Sequence, residues 1–261
     1  MIRALSTAAS GMQAEQQRLD VTANNIANSS TVGFKKARAE FQDLMYQTIK
    51  APGAATGGGM QSPTGLQVGM GVRTVSTQRM HGQGSFRQTG NPLDVAIEGN
   101  GFLVVAKPDG SLAYTRDGQL RLNAEGRLVN SDGFALASEV SIPPDATSVT
   151  IAVDGTVTAQ VPGDTAPVEV GTIELATFAN PAGLLAQGRG LYSETAASGT
   201  AITGKPGESG IGLLQQGALE VSNVSVVEEM IDLISGQRAY EMNSKVIQTV
   251  DEMLNAASRL R

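Results

Sequence analysis

The sequence predicts an α+β chain. N- and C-terminal helices form a coiled-coil layer, with an inserted antiparallel β domain and an extended β-hairpin connector. Three observations carry this. Apolar residues recur every seven positions at both ends, the middle alternates with period two between Asp-Gly turns, and a Gly/Pro-rich stretch around residue 58 follows neither period. The expected boundaries are 1–31 and 222–261 for the terminal-helix domain, 32–72 for the connector and 73–221 for a β-rich outer domain.

In the first helix Leu5, Met12, Leu19 and Ile26 are seven apart, with Ile2, Ala9, Gln16 and Ala23 between them at spacings of three and four. The run holds no Pro and a single Gly, Gly11, and it stops in the turn-forming cluster Asn28-Ser29-Ser30-Thr31-Val32-Gly33. The last segment repeats the design with Val226, Leu233, Tyr240, Ile247 and Leu254. Met230 is an apolar intermediate position, and Gln237, Ser244, Asp251 and Ser258 are polar ones. A second stripe of Val246, Val250, Met253, Ala257 and Leu260 widens the apolar face, and Ser225 with Glu228 reads as a capping box. Helices of these lengths span roughly 40–50 Å. An ordinary helical hairpin is one reading. The long regular seams, their small or polar intermediate positions and the second stripe favour another, in which the helices pack against further copies of the chain. Such helices are expected to be largely disordered in the free monomer and to fold on assembly.

The middle, from about 72 to 218, reads as short antiparallel strands. Leu93, Val95 and Ile97 alternate with Asp94, Ala96 and Glu98; Val149, Ile151 and Val153 form a second run, Val157, Ala159 and Val161 a third, and Val168, Val170, Ile173 and Leu175 a fourth. Gly99-Asn100-Gly101 and the Asp-Gly pairs at 109, 117, 132 and 154 read as the turns between strands. In residues 46–71, Pro52, Gly57, Gly58, Gly59 and Pro63 break any regular element. The stretch is either a flexible loop or a long hairpin running out from Phe41 past Tyr46 and returning from Leu66 to lie across a neighbouring subunit.

Composition excludes most chemistry. The 261 residues carry a net charge of −6 and no basic run, so nucleic acid is not an expected partner. With no cysteine there is no thiolate nucleophile, thiolate metal site or disulfide. The only histidine, His81, has no second ligand and no nucleophile pattern beside it. The Gly-x-Gly pairs lack the third glycine of a dinucleotide fingerprint, and the Asp-Gly pairs lack the regular spacing of a calcium repeat. No stretch is long and apolar enough for a membrane helix, and the N-terminal segment lacks the apolar core of a cleaved signal. No catalytic, cofactor-binding or metal site is expected, and a chain that leaves the cytoplasm does so by a route that keeps its N-terminus. A secreted adhesin or tail-like module and a cell-wall-active enzyme are the competing classes.

Ala23-Asn24-Asn25-Ile26-Ala27-Asn28, followed by Thr31, Gly33, Phe34 and Lys35, resembles the N-terminal signature of the flagellar basal-body rod and hook family. Gln237-Arg238-Ala239-Tyr240-Glu241 with Asn243, Ser244 and Lys245 resembles its C-terminal signature. The stretch 94–102 and Tyr114–Gly118 resemble landmarks of its β domain. Overall length, the run from Tyr46 to Ala54 and Gly65–Gly69 are most similar to a distal-rod member of the family rather than to a proximal-rod or hook member. Leu103 and Gly236 depart from the family pattern. The resemblance implies a structural subunit of a hollow helical tube that crosses the periplasm, transmits torque from motor to hook and lets export substrates pass. It implies as partners other copies of the chain, proximal rod proteins, the hook protein, the surrounding envelope bushing rings and the flagellar type III export apparatus. The expected assembly interface is Leu5, Met12, Leu19, Asn24, Asn25, Ile26, Asn28, Gly33, Phe34, Val226, Met230, Leu233, Gln237, Arg238, Tyr240, Asn243, Ile247 and Leu254.

Overall fold

The computed structural model describes residues 2–53, 55–57, 60–138, 140–163, 166–208 and 210–259. Gly58 and Gly59 of the expected hairpin tip, and Leu260 of the second apolar stripe, lie outside the described residues. The chain forms two compact units. One, the helical unit, comprises Met1–Ala27, Ala37–Gln78 and Ser225–Arg261. The other, the β unit, comprises Asn28–Lys36 and Arg79–Val224.

In the helical unit, α1 spans Ile2–Ala27 and α2 spans Val226–Arg259. The first helical bond of α2 runs from the Glu229 N–H to the Ser225 carbonyl at 3.0 Å, and Glu228 and Glu229 place negative charge in the first turn, where the helix dipole favours it. The two helices pack against each other, and small residues set their approach. A Cβ on Gly236 would meet Leu19 Cδ2 at 3.0 Å, and one on Gly11 would meet Asn243 Nδ2 at the same distance. The departure at Gly236 from the family pattern is therefore a point of close contact between helices. The rest of this unit is a set of two-stranded ladders. Ala37–Asp43 pairs with Val72–Arg79, Gln47–Lys50 runs antiparallel to Leu66–Val68, and Ala55–Gly57 runs antiparallel to Met60–Gln61. Between the last two, the Gly53 N–H donates to the Ser62 carbonyl at 2.9 Å.

Among the described residues, the β unit is built on a nine-stranded sheet. Its central strand, Phe102–Ala106, pairs with Leu112–Thr115 on one edge. On the other edge it pairs with Ala135–Leu136 toward its end and with Leu175–Thr177 at its start. Both faces of this strand are covered. Leu103 packs into an aliphatic core with Val95, Leu120, Leu128, Ile173 and Leu175, while Phe102 and Val104 pack into an aromatic one with Tyr114, Phe178 and Tyr192. That explains a continuous apolar run where a half-buried strand would alternate. A three-stranded sheet of Ser148–Ile151, Thr156–Gln160 and Val168–Thr172 adds Ile151, Val157 and Ala159 to the aliphatic core.

Several details differ from the sequence expectation. Val95, Ala96 and Ile97 are all buried, because their strand is covered on both faces. The run from Val168 to Leu175 is two strands in different sheets. Val153 sits in the turn after its strand and is exposed. The Asp-Gly pairs at 109, 132 and 154 turn hairpins, but Asp117-Gly118 is a crossing. The Val95 N–H donates to the Gly118 carbonyl at 3.0 Å, and a Cβ on Gly118 would fall 1.6 Å from the Val95 oxygen. Glycine is required there by close backbone approach.

Candidate assembly surface

The expected seam residues of α1 occupy the flank of its buried stripe. Leu5, Met12, Leu19 and Ile26 are half-buried, whereas the fully buried positions are Ala8, Ala14, Thr22 and Asn25, and Ala9, Gln16 and Ala23 are exposed. The close approach of the two helices is at Gly11, against Asn243, and at Gly236, against Leu19. On α2 the side facing α1 is made by Glu229, Leu233, Gly236, Asn243, Ile247, Val250 and Leu254, of which Glu229, Gly236 and Val250 are buried and the rest half-buried. Val226, Met230, Gln237, Arg238 and Tyr240 are exposed, as is Asn24 on α1. The second apolar stripe divides, with Val250 buried and Val246 and Met253 exposed.

A second apolar face of α2 was not legible as a seam. Val227 is 70 % exposed, Ile231 62 % and Ile234 47 %, and Met230 and Met242 lie along the same side. At 100° per residue these positions fall opposite the α1-facing side. The i, i+4, i+7 spacing of Val227, Ile231 and Ile234 is this face's sequence signal, and the longer heptad through Val226 overlaps it. In the connector, Tyr46, Ile49 and Leu66 are exposed, together with Phe41 and Met45. Pro52 and Pro63 are exposed at its bends, and Gly57 ends the Ala55–Gly57 strand.

Asn25 ties the end of α1 to the strand that follows. Its Nδ2 donates to the Ala37 carbonyl at 2.9 Å and to Glu229 Oε2 at 3.0 Å, and its Oδ1 accepts from the Ala37 N–H at 3.0 Å. The amide thus satisfies both polar groups of one backbone residue and reaches α2. An aspartate could not do this, since it has no N–H to give.

The neighbouring signature residues serve the β unit. Gly33 has φ +66°, and a Cβ there would lie 2.6 Å from the Arg116 carbonyl group. Phe34 lies under the Arg79 guanidinium, 5.6 Å from its Cζ, and Asn28 is half-buried in the turn that accepts the Thr31 N–H at 3.1 Å. Lys35 is fully buried and donates to Glu220 Oε1 at 2.5 Å and to the Gly82 carbonyl at 2.8 Å. Glu220, 1 % exposed, also accepts the Gly84 N–H at 2.8 Å on Oε1 and Arg116 Nη1 at 3.2 Å on Oε2. Asn223 closes the cluster, accepting the Lys36 N–H at 2.7 Å and donating to the Met80 and Gly82 carbonyls at 2.8 and 3.1 Å. Burial pushes the Lys35 ammonium below its ordinary range, with the Glu220 carboxylate opposing that shift. Four stretches far apart in sequence, 33–36, 79–84, Arg116 and 220–223, are joined in this one node. His81 packs edge-on to Phe102 and Tyr192, and burial together with Lys35, Arg79 and Arg116 pushes it down to about 4.

Comparison with known proteins gives one consistent result. Residues 5–35 match the flagella basal body rod protein family, 96–159 the flagellar hook protein FlgE/F/G D1 domain, and 215–260 the flagellar basal body rod FlgEFG protein C-terminal domain. The flagellar basal-body rod protein FlgG of Caulobacter vibrioides is 49 % identical over 261 residues, covering all of both chains. The FlgG of Borreliella burgdorferi is 48 % identical over 263 residues, covering all of this chain and 99 % of the relative. That of a Buchnera aphidicola from Acyrthosiphon pisum is 47 % identical over 260 residues, again covering all of both chains.

Proposed function

The chain belongs to the flagellar basal-body rod protein family, and we infer from that membership that it is a structural subunit of the flagellar distal rod and not an enzyme. We propose that copies of it assemble into a hollow helical tube in which the terminal helices form an inner coiled-coil layer. In that arrangement the β-rich part faces outward, and the connector hairpin lies across neighbouring subunits and stiffens the tube. The tube carries torque from motor to hook, joins proximal rod proteins to the hook protein, crosses the periplasm inside the envelope rings, and leaves a bore for substrates of the flagellar type III export apparatus, by which the subunit itself leaves the cell.

The observation that carries this reading is the apolar side of α2 at Val227, Ile231 and Ile234, opposite the side packed on α1. Water-facing aliphatic residues over two helical turns lose free energy unless another surface covers them. The exposed Tyr46, Ile49 and Leu66 make the same demand in the connector. Electron microscopy of the concentrated protein is expected to show tubes, and Ile231→Glu/Ile234→Glu is expected to leave a folded β unit that forms none. Tubes formed equally well by the double variant would defeat the assignment of that side of α2 to subunit contacts.

A further inference from the structure

A cavity of about 280 Å³ opens within the β unit, with His81, Asn100, Phe102, Arg116, Phe178 and Pro181 among its lining residues. Arg116 stands in its wall and belongs to the ionic node. The node holds two cations, Lys35 and Arg116, against one carboxylate, Glu220, and their exposures are 0, 5 and 1 %. One positive charge is thus buried without a counter-charge in the node, which is costly in a medium of low polarity. Arg116 spends its Nη1 on the Ile97 carbonyl and Glu220 and its Nη2 on the Gly99 carbonyl at 2.6 Å, while its Nε has no acceptor among the described residues. The unpaired donor belongs to one of the two cations that share Glu220, and that side chain is among those lining the cavity.

The remaining lining decides what kind of anion suits it. Phe102 lies under the Arg116 guanidinium, 5.5 Å from its Cζ, and Phe178, Ala179 and Pro181 add apolar surface. A bare tetrahedral oxyanion would leave that surface unmatched. A planar carboxylate pairs with a guanidinium, and a short apolar body on it would cover the rings. We propose that this cavity is a binding site for a small free carboxylate, which supplies the counter-charge that the node lacks.

His81 is the only histidine of the chain, so its imidazole resonances report on the cavity wall without ambiguity. The full-length protein at pH 7 is titrated with sodium benzoate, with sodium chloride at matched ionic strength as reference, and the His81 signals are followed by NMR. A saturable shift is expected, with a Kd on the order of 1 mM. Ala179→Leu, at an exposed lining position, keeps the dispersed spectrum of the fold and weakens binding at least about tenfold, which is on the order of 1.4 kcal/mol. A drift no different from that with chloride overturns the proposal. Unchanged binding in Ala179→Leu does so as well, because the ligand then sits elsewhere. Sodium sulfate saturating the same shift as tightly as benzoate would mean an adventitious ion only, and would overturn the carboxylate assignment too.

Discussion

Replacing Glu220 by glutamine keeps shape and volume and removes a single charge from the most buried polar cluster of the β unit. The carboxylate serves three donors at once: Lys35 Nζ at 2.5 Å, the Gly84 N–H at 2.8 Å and Arg116 Nη1 at 3.2 Å. A glutamine offers one acceptor oxygen and puts an NH2 group where a cation now sits. Breaking a buried ion pair by removing one partner costs about 3–5 kcal/mol. Here one removal strands two cations, so the upper part of that range applies, roughly 4–5 kcal/mol against a typical total of about 5–15. The chain has no Trp, but Tyr114 and Tyr192 are both buried in the β unit, so near-UV circular dichroism during urea denaturation reports on that unit. Glu220→Gln is expected to shift the midpoint sharply downward or to abolish the signal in water. The triple variant Lys35→Met/Arg116→Met/Glu220→Met is expected to recover most of the loss, since it leaves no stranded charge. A Glu220→Gln protein within 1 kcal/mol of the parent would refute the reasoning that this carboxylate holds the node.

His81 is held neutral in the fold with its pKa at about 4, against 6.5 unfolded. The unfolded chain therefore binds the extra proton first, and stability from this group is intact above pH 6.5 and lost as pH falls to 4. At ~1.4 kcal/mol per tenfold change in proton affinity the loss approaches ~3 kcal/mol, and the difference between denaturation profiles of parent and His81→Phe across pH 4–7 measures it. Gly33→Ala combines a left-handed backbone with a contact at 2.6 Å to Arg116 backbone atoms and is expected to cost about 2–4 kcal/mol in urea denaturation. Asn25→Ala strands both polar groups of Ala37 and removes a bond to Glu229, for about 2–3 kcal/mol, and hydrogen exchange at the Ala37 amide is expected to rise with it.

What was legible in the sequence was local. Both helices follow from seams whose period is set by helix geometry, and their ends from the Asn28–Gly33 cluster and Ser225. Within the β unit the hairpin Ser148–Gln160 read correctly because Val157 and Ala159 face the core while Thr156, Thr158 and Gln160 do not, which is the alternation of a half-covered strand. Phe102–Ala106 carries no period, because neighbours cover both its faces. A run without a period cannot show which way its residues point. The same rule explains α2. A heptad announces one apolar side, and the second side at Val227, Ile231 and Ile234 adds residues between the seam positions and blurs the signal that each would give alone.

The node failed to show for a different reason. Lys35 and Glu220 are 185 residues apart, and Arg116 and Glu220 are 104 apart, so no short window of sequence holds two of its three ion-paired members. Each member alone looks like an ordinary solvated charge. The one hint is Glu220 itself, a lone acid in the run Ala218-Leu219-Glu220-Val221, whose neighbours Ala218 and Leu219 are core residues. Its strand, Ala218–Glu220, pairs with Phe86–Gln88, and the strand just before it, Leu213–Gln216, pairs with Val95–Glu98. The first strands of the β unit are therefore completed by its last ones, and the counter-ion for Lys35 and Arg116 arrives on the same segment. Loop closure over such distances has to precede the contacts that reward it. The residues that close the unit are thus the ones that sequence spacing, by its nature, shows least.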